Sequence, residues 1–91
     1  MQIGRRRWIV IIVNVDIPML GKNMDFQIDE NATIAEIREA LLDTISQSEQ
    51  IRVIGRRNEV LIWERGSARL LDINQTGYEA GLVSGSVLLL A

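Results

Sequence analysis

Protein chemistry starts from a short set of reactive side chains, and this chain omits two of them. Its 91 residues include no histidine and no cysteine. That removes the commonest general base, the commonest transition-metal ligand, and every thiolate or disulfide. Twelve carboxylates remain, spread along the chain. Most fall at the ends of expected strands or on the surface of an expected helix. Asp72, Glu79 and Glu64 lie in or beside one loop region, where they could approach one another. No Gly-rich phosphate loop accompanies them, and no stretch has the acidic spacing of a calcium-binding EF-hand. The chain is therefore expected to be no enzyme, with no catalytic residue, no cofactor and no metal site.

The basic residues offer a different chemistry. Arg5, Arg6 and Arg7 could meet acidic protein, RNA or a membrane surface. Termini are usually loose, so residues 1–7 are expected to form a mobile, solubilising arm ahead of one domain over residues 8–91. Arg52, Arg56 and Arg57 fall on one expected hairpin and would make a small basic patch. No exposed aromatics interleave with them, so a stacking platform for single-stranded nucleic acid is not expected. The net charge of -2 and a pI near 5.0 give no general attraction for nucleic acid or anionic lipid.

The three arginines precede the apolar run Trp8 to Val13, an order that a secretory signal shares. Here the run stops at Asn14, with Asp16 and Pro18 following. It is also far short of the roughly 20 apolar residues that cross a bilayer. The segment is read as a strand, and a cytoplasmic location without membrane insertion is expected. Asn31-Ala32-Thr33 and Asn74-Gln75-Thr76 match the glycosylation sequon, which carries no weight without a secretory route.

These candidate residues need elements to hold them. Trp8 to Asp16 is rich in Ile and Val, and Asn23 to Asp29 alternates Met24, Phe26 and Ile28 with polar residues. With Pro18 and Gly21 marking a turn, the two runs predict a hairpin. Asn31 to Gln47 predicts the one helix. Ile34, Ile37, Leu41 and Ile45 share a face, with Glu36, Arg38, Glu39 and Asp43 away from it. Thr33 and Glu36 have the spacing of a capping box. Ile51 to Arg56 and Val60 to Glu64 predict two further strands reversing at Arg57-Asn58-Glu59. Arg65 to Arg69 reads as a polar loop. Leu70 to Val83 reads as irregular, with one helical turn around Tyr78. Ser86 to Leu90 closes the chain as a strand.

The order ββαβββ defines an α+β domain. One helix after a hairpin covers one face of a mixed, mostly five-stranded sheet, and a right-handed crossover sets a late strand parallel to the first. That is the β-grasp. About 91 residues suffice for one such domain and not for two.

Three stretches resemble the ubiquitin superfamily, and within it the YukD/EsaB-type bacterial proteins encoded with type VII secretion systems. They are Val13-Asn14-Val15-Asp16 through Met24-Asp25-Phe26-Gln27-Ile28, the helix start Asp29-Glu30-Asn31-Ala32-Thr33-Ile34, and Thr76-Gly77-Tyr78-Glu79-Ala80-Gly81-Leu82-Val83-Ser84-Gly85-Ser86-Val87-Leu88-Leu89-Leu90. The last departs from the family's closing pattern at Gly77, where an apolar residue is usual, and at Ser86, where Asp is usual. The resemblance covers about Ile9 to Leu90. It implies a small cytoplasmic accessory protein whose partner is a type VII secretion component. Conjugated relatives end in Gly-Gly. This chain ends Leu88-Leu89-Leu90-Ala91, so conjugation is not expected.

The sheet carries the candidate site. In the first strand Ile9, Ile11, Val13 and Val15 share the face expected to meet the helix. Trp8, Val10 and Ile12 point the other way, beside Asn14 and Asp16. In the last strand Leu88 and Leu90 point inward, leaving Val87 and Leu89 outside. The expected protein-binding surface is Trp8, Val10, Ile12, Ile54, Val87 and Leu89, edged by Arg52 and Arg56. A contiguous apolar patch of a few hundred Å² on a monomer normally has a use. Trp63 is ambiguous, since Val60 and Ile62 share one face of their strand and Leu61 and Trp63 the other. The patch suits a protein partner. The alternatives are a self-associating scaffold forming a homodimer and, less favoured, a nucleic-acid-binding domain.

Overall fold

Alternating β-branched residues build the first strand. β1 (Val10–Ile17) buries Ile11, Val13, Val15 and Ile17 and sends Val10, Ile12, Asn14 and Asp16 to the opposite side. Ile9, expected to share the buried side, is 41% exposed. Pro18 to Leu20 then form one 3-10 turn. Gly21 follows at φ 62°, a left-handed conformation that costs glycine nothing, and its amide donates to the Pro18 carbonyl at 3.0 Å. β2 (Lys22–Asp29) returns antiparallel to β1, from Ile17↔Lys22 to Val10↔Asp29.

The molecule is described from a computed structural model, over residues 9–48 and 57–91. The basic arm, Trp8, Arg52, Ile54, Arg56 and the strand expected over 51–56 lie outside the described residues.

Helix α1 (Ile34–Ser48) starts as its sequence signals. The Thr33 hydroxyl accepts from the Glu36 amide at 3.1 Å, and the Glu36 carboxylate accepts from the Thr33 amide at 2.8 Å. The Thr33 amide, and then its hydroxyl, hold the Glu36 carboxyl below its ordinary pKa. Two other free amides of the first turn find carbonyls in the distant loop: Ile34 donates to Gln75 at 2.8 Å and Ala35 to Ile73 at 3.1 Å. The stripe Ile34, Ile37, Leu41 and Ile45 is buried, joined by Leu42. Arg38, expected to be outside, is only 7% exposed. It sits four residues after Ile34 and four before Leu42, so its aliphatic stem borders the stripe. Its Nε lies 3.5 Å from the Glu39 carboxylate.

Three short strands complete the sheet: β3 (Ile62–Glu64), β4 (Arg69–Leu70) and β5 (Val87–Leu90). The order is β2-β1-β5-β3-β4, with β1 and β5 parallel and every other pair antiparallel. The first strand of the hairpin expected between 51–56 and 60–64 lies outside the described residues. One edge of β3 is taken by β5, through Ile62↔Leu90 and Trp63↔Leu89, and the other by β4, through Trp63↔Leu70. Arg57 to Glu59 form a 3-10 turn. The strand β4 lies where a loop was expected, because two residues show no period.

The loop between β4 and β5 closes the core. Thr76 and Glu79 repeat the capping box of Thr33 and Glu36, and Thr33 and Thr76 are bridge partners. This turn bears Tyr78, as expected. Gly77 packs where a β-carbon would stand 3.3 Å from the Glu30 carbonyl oxygen and 3.4 Å from its α-carbon. Its own amide donates to Ala32 and that of Tyr78 to Glu30. The departure at Gly77 is thus a requirement of close backbone approach. Among the described residues, Val13, Val15, Ile34, Leu41, Leu82 and Leu88 are the largest fully buried side chains, and all belong to one core cluster.

Candidate functional site

With α1 on one side, the other side of the sheet is set by strand parity. Its polar half lies on β1 and β2, where Asn14 and Asp16 oppose Asp25 and Asn23. These four form one hydrogen-bonded ladder. The two asparagine amides donate to each other, each at 2.7 Å. Their remaining donors reach Asp25 at 3.0 Å and Asp16 at 3.2 Å. Arg65 reaches in from the β3–β4 turn to bond Asp16.

The apolar half lies on β5, β3 and β4. Leu89 is paired with Asp16 on one side and Trp63 on the other, and Trp63 is paired with Leu70. Val87 is paired with Asn14. Leu61, whose amide donates to Ala91, extends the cluster with the parity of Trp63. Leu70 and Leu61 are 47% and 41% exposed, while Trp63, Val87 and Leu89 are half-buried. Trp63 and Leu89 line a recess of about 260 Å³ with Glu64, Arg65 and Ala68. Its lining thus combines apolar side chains with one carboxylate and one guanidinium.

Glu64 holds the turn that shapes this recess. Its carboxylate accepts from the Ser67 hydroxyl at 2.6 Å and from the amides of Ser67 and Gly66 at 2.8 and 3.0 Å. The Ser67 hydroxyl, then its amide, draw the carboxyl below its ordinary pKa. Leu70 follows on the returning strand. The partly exposed Trp63 is thus backed by a turn whose amides are satisfied internally.

Of the expected surface residues, Val10 and Ile12 do face this side, at 56% and 49% exposure. They stand apart from Leu89 and Trp63. The neighbours of Val87 and Leu89 on β1 are Asn14 and Asp16, and Ile12 instead lies against Ser84 and Gly85, bonded to both. Trp8, Ile54, Arg52 and Arg56 lie outside the described residues. Leu61 and Leu70 belong to the cluster and were not foreseen. Leu61 had a signal in its alternation with Ile62, and Leu70 had none.

Asp72, Glu79 and Glu64, which the sequence allowed to approach one another, are each bonded locally. Asp72 accepts from the Asn74 amide, Glu79 from Thr76, and Glu64 from its own turn. Among the described residues no three acidic side chains are grouped to hold a metal ion. Arg57 is engaged by acidic residues of α1. Its guanidinium bonds Asp43 at 2.6 Å and approaches Glu39 at 3.5 Å, and the Asp43 hydrogen bond raises its pKa. Among the described residues, no helix is long and apolar enough to cross a membrane.

The arrangement is a ubiquitin-like β-grasp, one helix packed on a mixed five-stranded sheet. The N-terminal ubiquitin-like domain of the 4931431F19Rik protein is similar in structure, with a TM-score of 0.66 and 16% identity over 98% of this chain and 82% of that one. A ubiquitin-like domain of an Arabidopsis thaliana protein is similar, with a TM-score of 0.66 and 18% identity over 100% and 85%. A structure described as molecular mimicry of SUMO promoting DNA repair has a TM-score of 0.65 and 12% identity over 97% and 96%. No protein-family model matches the sequence, and no curated protein does.

Proposed function

We propose that this chain is a non-catalytic protein-binding module that docks its partner on the helix-free face of the sheet. The observation that carries it is the cluster of Leu61, Trp63, Leu70, Val87 and Leu89 around an open recess. Trp is enriched in the cores of interfaces and among the residues that dominate binding energy. Every described arginine is engaged, by Glu39, Asp43, Asp16 or the Ala80 carbonyl, which argues against a nucleic-acid groove. The finer assignment rests on the resemblance of the hairpin, helix start and closing strand to YukD/EsaB-type proteins. On that basis the module is a cytoplasmic accessory or regulatory component of a bacterial type VII secretion system, and its partner is a component of that system. Purified cytoplasmic domains of the secretion components, titrated with the full chain by calorimetry, test it. One of them should bind, and Trp63→Ala should weaken that binding by more than about tenfold. Binding by none of them, or binding indifferent to Trp63, would refute the assignment.

A further inference from the structure

Resting on the docking role of this face, we infer the chemistry of what docks there: a peptide segment with one bulky apolar side chain flanked by Lys or Arg. The apolar residue fills the Trp63–Leu89 recess, and the basic residue meets the carboxylates of β1 and β2. Apart from the apolar Val10 and Ile12 at the start of β1, the face is divided by strand. Its positions on β5, β3 and β4 are Val87, Leu89, Trp63 and Leu70, all apolar. Its positions on β2 are Asn23, Asp25, Gln27 and Asp29, two of them acidic and none basic. Asp16 on β1 adds a third carboxylate. Lys22 pairs with Ile17 and so has the opposite parity. Arg65 is already bonded to Asp16.

The ladder also spends its donors internally. Asn14 and Asn23 direct their amide hydrogens at each other, at Asp25 and at Asp16. Among the described residues, Asp25 meets the neutral Asn14 amide and Asp29 the backbone amide of Asn31. Besides the Gln27 amide and the apolar Val10 and Ile12, what this half of the face offers is carboxylate oxygens, which only accept. A group that meets those carboxylates must bring donors, and positive ones gain most. Adjacent strands lie about 4.8 Å apart, so Asp16 is one strand from Leu89 and Asp25 is two strands from Val87. A Lys or Arg three or four residues from the anchor on a helix, or two along a strand, spans that gap. The same division disfavours a second copy of this chain as occupant. Among the described residues, two-fold pairing offers each copy's carboxylates no cationic strand position on this face.

The test uses the full 91-residue chain against a displayed library of random 15-residue peptides. Selected peptides should carry Leu, Ile, Phe or Trp with Lys or Arg within four positions. Asp16→Asn with Asp25→Asn keeps the hydrogen-bonding shape and removes two charges. It should weaken the selected peptides about three- to tenfold at low salt, a loss that fades near 0.5 M salt, roughly where screening lengths fall below 5 Å. Trp63→Ala should abolish their binding. Leu70→Glu, at an exposed edge position, serves the same purpose should Trp63→Ala fail to fold. Peptides that need Trp63 yet carry acidic or neutral flanks, and ignore the double Asn variant, would overturn this inference and leave the docking role standing. No selected peptide, or binding indifferent to both Trp63 and Leu70, would remove the docking role and the inference with it. A dimer in sedimentation that Leu70→Glu disperses would make a second copy the occupant and overturn the inference too.

Discussion

Replacing Leu41 with alanine separates the two faces of the sheet energetically. Leu41 is 1% exposed, midway along the buried stripe of α1, in the same cluster as Val13 and Leu88. Truncation removes three carbons from the interior, worth about 2.4 kcal/mol at ~0.8 kcal/mol each. A residual cavity of a few tens of Å³ adds roughly 1 kcal/mol at about 24 cal/mol per Å³. The expected loss is thus ~3–4 kcal/mol. A domain of this size has about 5–13 kcal/mol in total, so the variant should fold and remain measurable. With a urea slope of roughly 1 kcal/mol per molar, the midpoint should fall by about 3 M. Far-ultraviolet circular dichroism during urea unfolding reads it. Leu61→Ala is the control on the opposite face, where 41% exposure leaves less burial to lose; its cost should stay below ~1 kcal/mol. A Leu41→Ala loss under about 0.5 kcal/mol would refute the placement of α1 over the inner face.

Three further outcomes follow from the same geometry. Leu89→Ser should retain the fold and lose partner binding, whereas Ile12→Ser should retain both, because Asn14 and Asp16 separate the two sites; a melting curve and calorimetry of each single variant decide it. Gly77→Ala should destabilise by ~1–2 kcal/mol, since its new carbon meets hydrogen-bonded backbone at Glu30, and thermal unfolding that matches the parent would show that this junction yields. Glu36 and Glu64 both titrate below their ordinary value of 4.5 in the folded state, so each stabilises above the unfolded value and that contribution is lost as pH falls through the folded one. Denaturant midpoints between roughly pH 5 and 3 should fall less steeply in Glu36→Gln and Glu64→Gln than in the parent, and parallel curves would count against those turn contacts.

How much of this was legible depended on contrast between neighbouring residues. The β1–β2 hairpin and α1 were readable because parity and capping signals agree along whole elements: Met24, Phe26 and Ile28 against acids and amides, and Thr33 three residues before Glu36. The middle of the chain lacked such contrast. Val60-Leu61-Ile62-Trp63 is apolar at both parities, so only the pairing Trp63↔Leu89 shows that Trp63 faces outward. The β3–β4 hairpin was hidden by its turn. Ala68 takes φ 55°, a left-handed position where Gly or Asn would have announced the reversal. Arg69 therefore reads as the end of a polar loop and Leu70 as the start of irregular chain. In the candidate site, Val87 and Leu89 mark the apolar half by their parity, whereas the register that pairs them with Asn14 and Asp16 leaves no mark in the sequence.

That register explains how so short a strand serves both stability and recognition. β5 has four residues, and Leu88 and Leu90 are buried while Val87 and Leu89 are half-buried on the other side. A slip by one residue would exchange the two sets, and three leucines in a row do little to resist it by polarity alone. The resistance comes from the ends. Gly85 donates to the Ile12 carbonyl, the Asn14 amide donates to Ser86, Arg65 donates to Val87, and Ala91 and Leu61 exchange both of their bonds. The outer face adds a cost of its own, because a slipped β5 would no longer set Leu89 between Asp16 and Trp63. The polar ladder on β1 and β2 and the apolar cluster beside it are thus consequences of one alignment, and the charge boundary that a partner meets runs along the parallel β1–β5 seam that closes the fold.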